Sequence, residues 1–142
     1  MAASFEIRTR GPGLYEFTDD VRRLVREKGV NEGVLTLFVQ HTSCSLVIQE
    51  NADPDVQTDL ADFLARLAPS LRDPSMGWVR HRTEGPDDMP AHMRAALLPT
   101  SLSIPVSGGE LALGVWQGVY LFEHRHAPHV RRVMGQIVSA DR

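Results

Sequence analysis

The chain has 142 residues, 42% of them hydrophobic and 23% charged, with a formal net charge of -3. That size and balance predict one soluble globular domain spanning residues 1–142 and exclude a disordered tail-like chain. Acids are mixed among the bases throughout, which argues against a basic nucleic-acid-binding face; no apolar run approaches the ~20 residues of a membrane helix.

Phe5–Arg10 alternates apolar and polar residues and predicts a first strand. Thr18-Asp19-Asp20 reads as a capped helix start. Val21, Leu24 and Val25 form its apolar face and Gly29 its stop. Gly33–Gln40 is β-rich and almost continuously apolar, as a central strand should be, and Ser45–Gln49 returns beside it. Asp53-Pro54 places an N-cap before a first-turn proline, with Val56, Leu60, Phe63, Leu64 and Leu67 at helical spacing up to Pro69. Ser70–Asp88 is polar and loop-like, with room for a short strand around Trp78 and His81. A short helix follows over Pro90–Leu98, with Asp87 or Asp88 as its cap. Strands are expected at Ser101–Val106, Glu110–Trp116, Val119–Glu123 and Val130–Ser139, with Ser107-Gly108-Gly109 as a hairpin turn. Short connections between strands leave no room for helical crossovers, so the fold class is α+β with a mostly antiparallel, sandwich-like sheet core.

Six histidines are present, and three sit where chemistry could use them. His41 ends an apolar strand, either as a hydrogen-bonded core group or as a side chain aimed into a cavity. His81 lies in the polar loop and His92 in the short helix, and their spacing matches no zinc-finger or HExxH pattern. Cys44, the single cysteine, permits no internal disulfide. It suits a reducing cytoplasm, and an apolar strand follows it, so it reads as a small buried residue and not a nucleophile. The opening MAASFEIRTRG lacks the apolar stretch of a secretory signal, which also points to a cytoplasmic protein. Ser43 has no GxSxG setting, and no phosphate-binding glycine loop occurs. An anionic ligand would therefore depend on a metal or on arginines such as Arg80, Arg82, Arg125, Arg131 and Arg132.

Three phrases, FVQHTSCSLVIQENADPDV, GPDDMPAHM and LALGVWQGVYLFEHR, occur in this order between about Leu35 and Arg125. Together they resemble the YjbQ-like family, also known as secondary thiamine-phosphate synthase. The resemblance implies two to three helices on a β-sandwich core, a homotrimer, and a polar pocket near the subunit interface. Matched to the family's motifs, the pocket residues are His41, Glu50, Asn51, Asp53, Asp59, His81, Asp88, His92, Gln117 and Glu123. A metal held by the family's histidines falls on His41, His81 and His92. Asp88, Glu123 and Asp53 are then the catalytic candidates, and Asn51, Gln117 and Arg125 the substrate-binding ones. The named activity joins hydroxymethylpyrimidine diphosphate to thiazole phosphate, a step suited to Mg²⁺ and oxygen ligands. Three imidazoles suit a zinc-type divalent ion better, which favours metal-activated water acting on a small anionic metabolite. A non-catalytic trimeric binding protein is the remaining alternative. Two departures stand out: Cys44 replaces a residue that is often alanine, and the ending GQIVSADR lacks a glycine-acid pair, which puts the edge of the last strand in question.

Overall fold

Eight strands and three helices are built from these segments in a computed structural model that describes residues 2–142. The first strand, β1 (Ala2–Thr9), pairs with β8 (His129–Ser139), which pairs in turn with β3 (Gly33–Val39). Beyond β3 lie β5 (Ser101–Ser107) and β6 (Glu110–Leu111), completing a five-stranded sheet. A second sheet orders β2 (Gly13–Glu16), β7 (Gln117–Glu123) and β4 (Cys44–Glu50). Every pairing is antiparallel, in keeping with the α+β sandwich expected from the short connections.

Alternation sets the core. Leu35, Leu37 and Val39 of β3 join Val133 and Ile137 of β8 and Ile104 and Val106 of β5. Across from them lie Leu46 of β4 and Val119 and Leu121 of β7. Helix α1 (Thr18–Lys28) adds Val21, Leu24 and Val25 to the same core and stops at Gly29, whose φ of 65° is the left-handed conformation that favours glycine. Helix α2 (Pro54–Leu67) meets the other face of the small sheet, where Leu60, Phe63 and Leu64 approach Val47, Gln49 and Phe122. Helix α3 (Asp88–Leu97) packs on β4 and buries Asp88, Ala91 and Arg94. No helix of the described residues is long and apolar enough to cross a membrane.

Several boundaries differ from the sequence expectations, for identifiable reasons. Strand β2 was not anticipated; at four residues it is too short to show a period. Thr18 does not cap α1, because its hydroxyl donates to the Glu16 carboxylate (2.7 Å) and accepts from the Val119 N–H (2.8 Å). Asp53 is the N-cap of α2, accepting from the Asp55 N–H at 2.9 Å. Neither Asp87 nor Asp88 makes a side-chain cap on α3. The strand expected over Glu110–Trp116 ends at Leu111. Gly114 and Gln117 then close a turn, with the Gln117 N–H on the Gly114 carbonyl (3.0 Å) and the Gly114 N–H on Gln117 Oε1 (2.7 Å). The loop from Ser70 contains one 3-10 turn, Pro74–Met76, and no strand. The final strand is no edge at all: β8 lies between β1 and β3. Asp141 clasps its end by accepting from the Asn31 and Glu32 N–H groups.

Candidate metal centre

Helix α3 places Asp88 and His92 four residues apart, hence on one face. The loop before it brings His81 onto the same carboxylate. Asp88 Oδ2 lies 2.8 Å from His81 Nε2 and 3.1 Å from His92 Nε2. One ligand atom from each of the three residues falls within a 4.8 Å span, the separation a single ion could bridge.

The donor chemistry of His92 matters most. Its Nδ1 is 2.9 Å from the Thr42 carbonyl, which can only accept, so Nδ1 carries the hydrogen. In the neutral ring Nε2 is then a bare lone pair aimed at a carboxylate oxygen. Two lone pairs at that distance repel unless a proton or a cation lies between them. The arrangement therefore fits a metal, with Thr42 fixing the tautomer that exposes Nε2.

Arg125 holds the carboxylate from the other side. Its NH1 donates to Asp88 Oδ1 at 2.6 Å and its Nε to Asp87 Oδ2 at 2.9 Å, while the His126 N–H also reaches Asp87. Burial pushes the Asp88 carboxyl upward, but the hydrogen bond from His81, the charge and hydrogen bond of a protonated His92 ring, and the Arg125 charge outweigh it and hold the group below the usual range. For Asp87 the His126 N–H and the Arg125 hydrogen bond likewise overcome burial. Both acids are anions at neutral pH.

Behind Arg125 is a buried network that presents it. Glu123 is fully buried, and every approach to its carboxylate is a donor. Thr9 Oγ1 and Arg131 Nε reach Oε1, each at 2.7 Å; Arg131 NH2 and the N–H groups of His124 and Arg125 reach Oε2. Burial raises its proton affinity, and the Arg131 and Thr9 hydrogen bonds reverse that. A carboxylate so saturated orients the chain at Arg125 and has no lone pair left over for a substrate proton. Adjacent His124 faces the opposite side of the sheet: Nε2 meets Ser45 Oγ at 3.0 Å, and burial drives its pKa down to about 3.

The sequence-derived candidates thus separate. His81, Asp88, His92 and Arg125 come together, with Glu123 behind them. His41 is not in the three-donor group. Its Nε2 accepts from the Arg132 N–H at 2.9 Å, and burial followed by the nearby Arg131 charge lowers its pKa. Glu50, Asn51, Asp53 and Gln117 gather elsewhere. Gln117 pairs with Glu50 at one end of the β4–β7 ladder and Glu123 with Cys44 at the other. Six strand steps put these ends about 20 Å apart. At the far end Glu50 accepts from the Ala52 and Asp53 N–H groups, and the Asn51 N–H reaches the Trp116 carbonyl. Asp59 is exposed on α2. Cys44 is buried and its thiol is pushed up to about 12, which leaves it inert. Sequence reasoning named Arg131 only as one of several arginines for an anionic ligand, whereas it is buried against Glu123, and it did not single out Arg94, which is buried with its NH2 on the Ala68 carbonyl. The available signal for Arg131 was phase: it lies two residues from buried Val133 and so on the same face of β8, where a charge on the core side requires a partner.

The chain matches the family described as UPF0047 protein YjbQ-like over residues 3–140. It is 53% identical over 128 residues to a UPF0047 protein of Synechocystis sp., covering 90% of this chain and 84% of that one. Against UPF0047 protein YjbQ of Escherichia coli O157:H7 it is 40% identical over 126 residues, 88% of each chain. Among solved structures, a YjbQ/UPF0047 family protein from Clostridium acetobutylicum superposes with a TM-score of 0.84 at 32% identity, covering 96% of this chain and 99% of that one. A hypothetical protein from Aeropyrum pernix K1 gives 0.87 at 26% identity, with 98% of each chain covered.

Proposed function

The chain belongs to the YjbQ-like UPF0047 family, and from the donor group on this fold we propose that it is a metal-dependent enzyme acting on a small anionic metabolite. The observation that carries the proposal is the convergence of His81 Nε2, His92 Nε2 and one Asp88 oxygen, with Thr42 holding His92 in the ligating tautomer. Two imidazoles and one carboxylate suit a zinc-type ion better than Mg²⁺, which prefers oxygen ligands and keeps its water. Such an ion supplies Lewis acidity that lowers the pKa of water into the neutral range. The protein's own part is to hold Asp88 through Arg125, fix the rings, and attract an anion with Arg80, Arg82 and Arg125. Hydrolysis fits this donor set best. Thiamine-phosphate synthesis would need its leaving diphosphate neutralised by groups of a different kind.

A homotrimer in the cytoplasm is part of the same proposal. The outer face of the five-stranded sheet leaves Val34, Phe38, Met134 and Val138 exposed, a row that a second copy could cover. A ring of subunits would also let the Glu50–Asn51–Gln117 end of one chain approach the histidine end of the next.

The test is metal analysis of untagged protein by mass spectrometry, followed by zinc titration of variants. His81→Ala, His92→Ala and Asp88→Asn should each weaken zinc binding at least tenfold, whereas His41→Ala should change it less than threefold. The proposal fails if no transition metal co-purifies and the variants bind added zinc as the wild type does. Turnover of phosphate esters and lactones, beside the two thiamine precursors, separates hydrolysis from synthesis. A monomer by light scattering at working concentration removes the trimer.

A further inference from the structure

The end of α2, the middle of α3 and the end of β7 meet at a joint built from Arg94 and His124. Both residues are more than nine-tenths buried, at 8% and 1% exposure. Arg94 lies two residues beyond His92, about 200° round α3, so it points away from the donor group. Its NH2 donates to the Ala68 carbonyl at 2.8 Å, at the C-terminal end of α2. Its Nε has no hydrogen-bond partner among the described residues, and none of their carboxylates forms an ion pair with it. Burial lowers its proton affinity. The charge that opposes this is Asp87, which already accepts from Arg125 Nε and the His126 N–H.

His124 carries the matching deficit. Ser45 is fully buried, and among the described residues its hydroxyl meets only His124 Nε2, at 3.0 Å. The hydroxyl hydrogen is used only if Ser45 donates and Nε2 accepts, which leaves the ring hydrogen on Nδ1. Nδ1, like Arg94 Nε, is buried without a partner. The two groups are near enough that the Arg94 charge, second to burial, helps keep the His124 ring neutral. Two buried N–H donors and an uncompensated cation call for an acceptor that brings negative charge and has no hydrogens to place. A water can accept from both, but its own hydrogens then need acceptors and the charge stays unanswered. We infer that Arg94 Nε and His124 Nδ1 bind one halide-class anion, chloride or a close equivalent, inside this joint. So enclosed a position admits a monatomic ion and excludes phosphate or carboxylate ligands. The ion ties α3, which carries Asp88 and His92, to β7 from the side away from the donor group.

The probes are chloride, bromide and gluconate as sodium salts, exchanged at constant ionic strength and pH 7 on the zinc-free full chain. Urea midpoints should rise and saturate as gluconate gives way to either halide. An ion at ten times its Kd shifts the folding equilibrium about elevenfold. Arg94→Met and His124→Phe each remove one donor and keep most of the side-chain volume, and each should cut the halide shift below threefold. Where a variant fails to fold, the wild type still decides. Crystals grown in sodium bromide and measured at the bromine edge should show an anomalous peak in contact with Arg94 Nε and His124 Nδ1. No peak there, or a water bridging the two nitrogens in its place, overturns the inference. A halide response that both variants keep in full also overturns it, because the ions then act at the surface. So does a peak without a stability response, which marks binding at crystal concentration only. Zinc enters none of these measurements, so the metal centre and this site fail separately.

Discussion

Replacing Glu123 by glutamine changes one atom and should cost several kilocalories. Its carboxylate is fully buried against Arg131, whose side chain is 5% exposed. All its neighbours donate: Thr9, the Arg131 guanidinium, and the N–H groups of His124 and Arg125. A glutamine amide in either orientation aims its own N–H groups at donors and leaves the Arg131 charge uncompensated. Breaking one side of such a buried pair costs about 3–5 kcal/mol. With an unfolding entropy of about 2.1 cal/mol/K per residue, 142 residues give roughly 300 cal/mol/K, so each kcal/mol lowers Tm by ~3 °C. Glu123→Gln should therefore melt about 10–17 °C below the wild type by circular dichroism, with a matching fall in the urea midpoint. A loss of Tm under ~3 °C would mean that the network is not the support described above. Zinc affinity should drop in the surviving folded fraction too, since Glu123 Oε2 anchors the backbone that presents Arg125.

His124 gives a pH signature. Its native pKa is pushed down to about 3 by burial, whereas in the unfolded chain the ring takes up a proton near pH 6.5. Below pH 6.5 the unfolded state binds one more proton, so this group's contribution declines as pH falls, by up to ~1.4 kcal/mol per pH unit. Urea midpoints measured between pH 7 and 5 should fall in the wild type and fall less steeply in His124→Gln; parallel slopes would refute the assignment. Asp53→Ala removes the N-cap of α2 and should cost about 1 kcal/mol by equilibrium unfolding. Zinc affinity should stay unchanged, and a simultaneous loss of metal would place Asp53 nearer the donors than its position at the far end of the sheet.

Regular features of the fold were legible because local chemistry governs them. Asp53-Pro54 fixed a helix start, since a cap and a first-turn proline act within one turn. Gly108 and Gly109, with φ of 60° and 77°, made a two-residue hairpin from residues that tolerate positive φ. Thr18 went astray because its hydroxyl answers to Val119, a hundred residues later, and Glu110–Trp116 because Gln117 folds back on Gly114. In neither case does the deciding partner lie in the segment's own pattern.

The same division runs through the candidate site. By itself the sequence determined the antiparallel α+β architecture and the family, consequences of short connections and motif order; the pairing of Asp88 with His92 was hidden because the helix was expected to start at Pro90, two residues after Asp88. Tertiary structure alone decided which candidates meet. The β4–β7 register sends Glu50 and Gln117 to one end and Glu123 to the other, and the loop from Ser70 delivers His81 onto Asp88. It also turned Glu123 from an apparent base into a saturated buried anion. Hydrogen-bond saturation depends on what surrounds a side chain in space, and no spacing along the chain records it.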